Sequence, residues 1–217
     1  MTALWEYFTA NRRQIQGWTV TTVWLAALPV AVALVAAVPL GWLAHRSRRA
    51  HAVLVSGLGV LYTVPSLVMF LVIPEILGTR ILDPVNVVVA LTVYSLALLV
   101  RGVADGLASV PAASSAAASA TGHTAWQALV RVQLPLAVPV IGAGLRVAAV
   151  SNVSLVSVAS VIGTSQLGQL FLTGSSTGTV PPVVLGLLCF AGIAFALDLA
   201  ITGLTRLLTP WRPAAGS

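Results

Sequence analysis

The sequence predicts an all-α membrane protein of about five transmembrane helices, and three observations predict it. Of its 217 residues, 58% are hydrophobic and only 7% charged, too little charge to cover a soluble domain of this size. The apolar residues form long runs with the charges, Arg146 and Asp198 apart, kept to the gaps and ends, as in a chain whose solvent is lipid. Alternation with period two is missing, so backbone groups out of reach of water are satisfied within helices rather than around a barrel.

The elements follow in order. Residues 1–17 precede the apolar runs, and Leu4 to Gln16 reads as a short amphipathic helix on the outer surface. The first span is expected from Trp18 to Ala44. It is too long for the apolar region of a signal peptide, and the His45-Arg46-Ser47-Arg48-Arg49 stretch behind it offers no cleavage site. The second span runs from Val53 to Ile76, with Pro65 and Pro74 expected to break it. The third covers Pro84 to Val103. A long connection, residues 105–135, leads to the fourth span, Leu136 to Ile162. Residues 163–180, rich in Gly, Ser and Thr, read as an outer loop with a half-helix, and the fifth span is Pro181 to Leu208. No linker or internal repeat divides the chain, so residues 1–217 are read as a single transmembrane domain.

The net charge of +6 comes from eleven basic residues, all of them Arg, against five acidic ones, and all but Arg146 lie between or at the ends of the apolar runs. That placement is a topology signal and argues against a nucleic-acid partner. With five spans, Arg46, Arg48 and Arg49, then Arg101 and Arg131, then Arg206 and Arg212 fall on one side. The positive-inside rule makes that side cytoplasmic, with the N-terminus outside and the C-terminus in the cytoplasm. Arg12 and Arg13 run against this assignment. Trp5, Trp18, Trp42 and Trp211 sit near the expected interfaces, as aromatic anchors do.

Several chemistries are excluded. A phosphate-binding loop needs a lysine to reach the phosphates, and the chain has none. His45, His51 and His123 lack Cys or carboxylate partners at ligand spacing, so no metal site is expected. All three lie at the edge of the apolar runs, away from where an intramembrane serine nucleophile would need its base. The single cysteine, Cys189, lies inside an apolar run and reads as a buried, inert thiol. No catalytic residue and no cofactor is expected in this chain.

The 105–135 connection is too long for a turn between helices, and loops of that length usually have a task. After Val110-Pro111 the Ala/Ser run from Ala112 to Ala120 favours a short helix, which Gly122 breaks. Trp126, Leu129 and Val130 then fall at i, i+3 and i+4, giving a second short helix an apolar face, and Leu134-Pro135 is expected to end it. Two short helices joined by glycine make a knob suited to a groove on a partner; a surface-lying loop without a partner is the plainer alternative.

This stretch resembles the cytoplasmic loop of permease subunits of bacterial ABC importers, whose pattern is E-A-A, three residues, Gly, nine residues, I-x-L-P. Ala117 and Ala118 match the alanines, Gly122 the glycine, and Val132, Leu134 and Pro135 the close. The family's Glu is Ala116 here. Tyr62-Thr63-Val64-Pro65-Ser66-Leu67 with Ile73-Pro74, the run Leu91 to Arg101 with Gly106-Leu107, and Ile162 to Phe171 are similar to permeases of the osmoprotectant type. Thr164, Ser165 and Gln166 depart from that last block. The resemblance extends from about Leu40 to Gly174, and methionine-type permeases share much of the layout.

The resemblance implies a transport subunit of the bacterial cytoplasmic membrane, without catalysis of its own. Its partners would be ATPase subunits that bind the ATP and Mg, a second permease copy (identical or related), an extracytoplasmic substrate-binding protein, and lipid. The solute would be a quaternary ammonium compound such as glycine betaine, choline or carnitine. Contact with the ATPase would fall to Ala117, Ala118, Gly122, His123, Trp126, Leu129, Arg131, Leu134 and Pro135. A methionine-type permease, an ATPase-independent carrier or channel, and an assembly subunit are the rival readings.

Within the spans, Arg146 and Asp198 are the ionisable residues at depth. Each costs about 2.5–3.5 kcal/mol there by insertion scales, so both are expected to face the bundle and to pair. A helix-to-helix clamp and a role toward solute are both open to them. Ser151, Asn152, Ser154, Ser157 and Ser160 form a polar stripe on the fourth span, lining a path or packing against a helix. Tyr62, Pro65, Ser66 and Tyr94 are candidates for the path or its gate, since aromatic faces attract quaternary ammonium groups; packing is the alternative for each.

Overall fold

The first and third apolar runs fold as helices that lie side by side and run the same way. In the computed structural model, residues 2–211 are described; Arg212 and its topological role lie outside them. Helix α1 (Thr2–Ala10) is followed at once by α2 (Arg12–Arg46). The expected amphipathic helix Leu4 to Gln16 is therefore split at Asn11, whose backbone leaves the helical region, and its last residues are the first turn of α2. Leu4, Tyr7 and Phe8 of α1 pack on the core rather than facing out alone.

Helix α2 turns a stripe of small residues inward: Ala26, Ala33, Ala37, Gly41 and Ala44 are buried. Lipid supplies no hydrophobic drive between helices, so close backbone approach at small residues does the work. At Gly41 the approach is closest, and a methyl group there would stand 2.6 Å from Val103 Cβ. The helix facing this stripe is α6 (Pro84–Ala108), which is buried along most of its length. It starts at Asp83, whose carboxylate accepts from Val85 N–H at 3.0 Å, with Pro84 preset for the first turn.

Between them the chain forms α3 (Arg48–His51), a π-helical turn (Ala52–Ser56), α4 (Gly57–Tyr62) and α5 (Ser66–Leu77). The expected straight second span is bent by 106° between Tyr62 and Ser66. Pro65 makes the bend, because it lacks an N–H and holds its own backbone extended at ψ 135°. Pro74, expected to break the span as well, is instead accommodated inside α5. The bent pair still carries the chain across. Leu25 and Ala26 pack in one cluster with Val87, Ala90 and Leu91, and Ala33 and Ala37 in another with Leu99, Val100 and Val103. Helices α2 and α6 are thus parallel, and the chain must traverse the bundle between them.

After α6 come α7 (Ala112–Ala120) and α8 (Ala125–Ala128), a second π-helical turn (Leu129–Gln133), and α9 (Leu134–Val158). Leu134-Pro135 does not end the second short helix as expected. The helix continues unbroken from Ala125 to Val158, and the wider π turn sits where Pro135 withholds its N–H and its ring would press on the Arg131 carbonyl. Helix α9 packs antiparallel on α6, with Gly102 and Gly144 face to face: a methyl on Gly144 would touch Gly102 Cα at 3.6 Å. The outer-loop segment holds α10 (Gln169–Thr177), and α11 (Val180–Leu207) returns along α9. Among the described residues, four helices are long and apolar enough to span a membrane, five spans with the bent pair.

Candidate functional site

Three places gather the residues singled out in the sequence. The first is the 109–133 connection, at the end of the bundle where α2, α6 and α11 finish. Helix α7 closes with Gly122 in the left-handed region at φ 79°. Gly122 N–H donates to Ser119 O and His123 N–H to Ala118 O, a turn that only glycine enters without strain. Two residues on, a reciprocal cap starts α8: Gln127 N–H donates to Thr124 Oγ1 at 3.3 Å and Thr124 N–H to Gln127 Oε1 at 2.9 Å. The angle between the two short helices is therefore set by consecutive backbone devices.

The apolar residues of this connection do not share one fate. Leu129 is fully buried in the chain's own core, whereas Trp126 is 57% exposed and Val130 is exposed. Ala118 is buried, while Ala116, Ala117, Gly122 and Arg131 are exposed and His123, whose Nδ1 lies 3.0 Å from Thr121 Oγ1, is half-buried. Leu134 and Pro135 lie in α9's first turn, half-buried. Trp126 also meets Trp42 edge to face, centroids 6.0 Å apart, and the Arg46 guanidinium lies 4.9 Å over the Trp42 ring. That Trp42–Arg46 support, which ties the end of α2 to α8, was not legible in the sequence beyond Trp42's place near an interface.

The second place is the bend. With Pro65 at the corner, Val68 N–H donates to Pro65 O, so the Val64 carbonyl has lost its helical donor. The buried Tyr94 hydroxyl supplies one instead, across thirty residues of sequence. Tyr62 packs edge to face on Tyr94, centroids 5.7 Å apart, and is half-exposed; Ser66 opens α5, partly buried. A freed carbonyl at membrane depth needs a protein donor. Tyr94 is that donor, so its hydroxyl is engaged in holding the bend.

The third place is α9 against α11. Arg146 Nε donates to Asp198 Oδ1 at 2.6 Å and its Nη2 to Oδ2 at 2.8 Å, a two-pronged pair joining the helices. The pair does not face the bundle as expected. The side chains are 45% and 25% exposed, on the flank of the chain, because α9 turns Ala148, Ala149 and Asn152 inward. Ser151 and Ser154 lie on the same flank. Asn152 points the other way, fully buried, and donates to Ala26 O at 3.4 Å; Ser160 is buried too. The stripe is thus split, and Asn152 packs against α2.

A lock near the outer loop went unnoticed in the sequence. Thr22 Oγ1, fully buried, donates to Trp18 O and accepts from Leu167 N–H at 3.1 Å. Gln166 reaches Val156 O at 3.0 Å through Nε2 while its Oε1 accepts from Gly168 N–H. Only the departure at Gln166 from the resembled block marked the place.

Comparison with known proteins completes the site. Residues 30–210 match the family described as binding-protein-dependent transport system inner membrane component. The chain is 34% identical over 208 residues to the osmoprotectant import permease protein OsmW of Salmonella typhimurium, covering 94% of this chain and 96% of that one. It is 33% identical to the choline transport system permease protein OpuBD of Bacillus subtilis, covering 86% and 81%. Among solved structures, a chain of the MetNI methionine ABC transporter superposes with TM-score 0.81 at 18% identity, over 92% of this chain and 98% of that one. That likeness establishes the fold.

Proposed function

We propose that this chain, which belongs to the family of binding-protein-dependent transport system inner membrane components, is the permease of an ATP-driven importer of small osmoprotectants. As a family member it is a multi-pass inner-membrane protein working with an ATPase and a substrate-binding protein. The solute class follows the relatives, named for osmoprotectants, choline, and glycine betaine with carnitine. The methionine reading has only a fold likeness behind it.

Two permease copies enclose the pathway in this reading. The N-terminus is outside, and the arginine-rich end of the bundle meets the ATPase subunits, which hold the ATP and Mg. The observation that carries it is the rigid exposed turn between α7 and α8, built by Gly122 and Thr124, with Trp126 uncovered at its surface. An exposed indole beside a fixed turn is a natural anchor for a groove. Coupling then requires the turn to bind the two states of the ATPase with different affinity.

The test is co-purification in detergent with the ATPase subunit of its transport system, expressed together with this chain, followed by intact-complex mass. Retention of the ATPase, lost when residues 122–131 are replaced by a flexible linker, is the expected result. Trp126→Ala is expected to leave ATP hydrolysis running without uptake. Full uptake in that variant removes Trp126 from the coupling role, and a folded chain that retains no ATPase refutes the permease reading.

A further inference from the structure

The α9–α11 flank carries a charge pair that this chain leaves uncovered. Arg146 lies twelve residues into α9 (146 − 134) and Asp198 nine residues before the end of α11 (207 − 198), each about 15 Å from the arginine-rich end at the helical rise. That is near the middle of a hydrocarbon core about 30 Å thick. Two N–H groups of Arg146 go to Asp198, and its others have no acceptor among the described residues. Lipid chains offer none either, so this flank cannot face lipid without leaving charged donors unpaired.

The surface around the pair is shallowly hollowed. A hollow of about 440 Å³ is lined by Ala143, Arg146, Val147, Val150, Ser151 and Asp198. Val150 is shared with a second hollow of about 280 Å³, which runs past Ser154 and Ser157 to the stacked Phe171 and Phe190 rings. The two hollows adjoin at Val150 and together make a shallow, open trough from the region of α10 to the pair. Its chemistry is distinctive: one guanidinium and one carboxylate, net neutral, held as a fixed dipole by a two-pronged bond.

We propose that this trough is a contact site for the solute in transit, and that it selects zwitterions. A small betaine can lie antiparallel to the ion pair, its carboxylate accepting from the outer N–H groups of Arg146 and its ammonium group beside the outer lone pairs of Asp198. The Arg146–Asp198 bond stays closed, and no net charge is brought into the membrane. Choline, with a neutral hydroxyl in place of the carboxylate, matches only half of the dipole and offers the outer guanidinium donors a single uncharged acceptor. The proposal rests on the permease reading above and adds to it which flank meets the solute and through which groups.

The experiment uses the complete transporter, with its ATPase and binding protein, in proteoliposomes. Uptake of radiolabelled glycine betaine is expressed per ATP hydrolysed, so that reduced assembly does not change the readout. Arg146→Leu with Asp198→Leu removes the dipole without orphaning a charge, and the ratio is expected to fall about tenfold or more. A ratio within about twofold of the parent overturns the proposal. If that variant does not assemble, Ser154→Cys in a Cys189→Ser background decides. A positively charged, membrane-impermeant thiosulfonate added outside should label it, with glycine betaine protecting and choline not. Labelling by lipid-soluble maleimide alone, or equal protection by both solutes, overturns it. A parent complex that imports none of glycine betaine, choline or carnitine instead refutes the permease reading.

Discussion

Replacing Tyr94 by Phe tests whether the bend in the second span is held by one hydroxyl. The bend exists because Pro65 interrupts the helical ladder and leaves Val64 O without its backbone donor. Tyr94 is 3% exposed, and its O–H donates to that carbonyl. Phe keeps the ring and its edge-to-face packing on Tyr62 but strands the carbonyl, at a cost of about 1–3 kcal/mol for an unsatisfied buried acceptor. For a chain of this length that corresponds to a melting temperature lower by about 3–10 °C. Thermal unfolding in detergent, followed by tryptophan fluorescence, reads it directly. Tyr62→Phe is the control, because among the described residues the Tyr62 hydroxyl has no partner, and its change is expected within about 0.5 kcal/mol. Equal melting temperatures for parent and Tyr94→Phe would show that the carbonyl does not depend on Tyr94.

Other perturbations have equally specific outcomes. Thr22→Val leaves Leu167 N–H without its acceptor and is expected to destabilise by about 1–3 kcal/mol, seen as faster proteolysis of the outer loop. Gly122→Ala places a side chain at φ 79°, costing about 1–2 kcal/mol; weaker retention of the ATPase with the spans still folded is the expected readout. Ala116→Glu restores the residue usual in the resembled loop at an exposed position, so stability should change by less than about 0.5 kcal/mol while ATPase retention rises.

The sequence carried the spans because each apolar run is local. It carried the turn at Gly122 because a glycine after an alanine-rich helix has a local meaning. What it could not carry was tertiary. Leu134-Pro135 reads as a stop, yet a π turn absorbs the proline within a continuous helix. Pro65 and Pro74 look alike in sequence, and only Pro65 bends the chain, where Tyr94 stands ready to receive the freed carbonyl. Arg146 and Asp198 lie fifty-two residues apart and meet because α9 and α11 are antiparallel. Their position on the flank depends on which face of α9 carries the small residues, and Ala148 and Ala149 outcompete the charges for the interior.

The unbroken helix from Ala125 to Val158 has a mechanical consequence. Its 34 residues make a rod about 50 Å long, and two glycine supports sit together near its middle, Gly142 against Thr205 of α11 and Gly144 against Gly102 of α6. Taken as a fulcrum, Gly144 stands about 27 Å from Trp126 and about 21 Å from Val158 along the rod. A push of about 3 Å on the Trp126 arm emerges as about 2 Å in the opposite sense at the Val158 arm. Arg146, two residues beyond the fulcrum, scarcely moves. Leverage of this kind would open or close the end of the trough near Ser157 while the ion pair at its floor keeps its geometry.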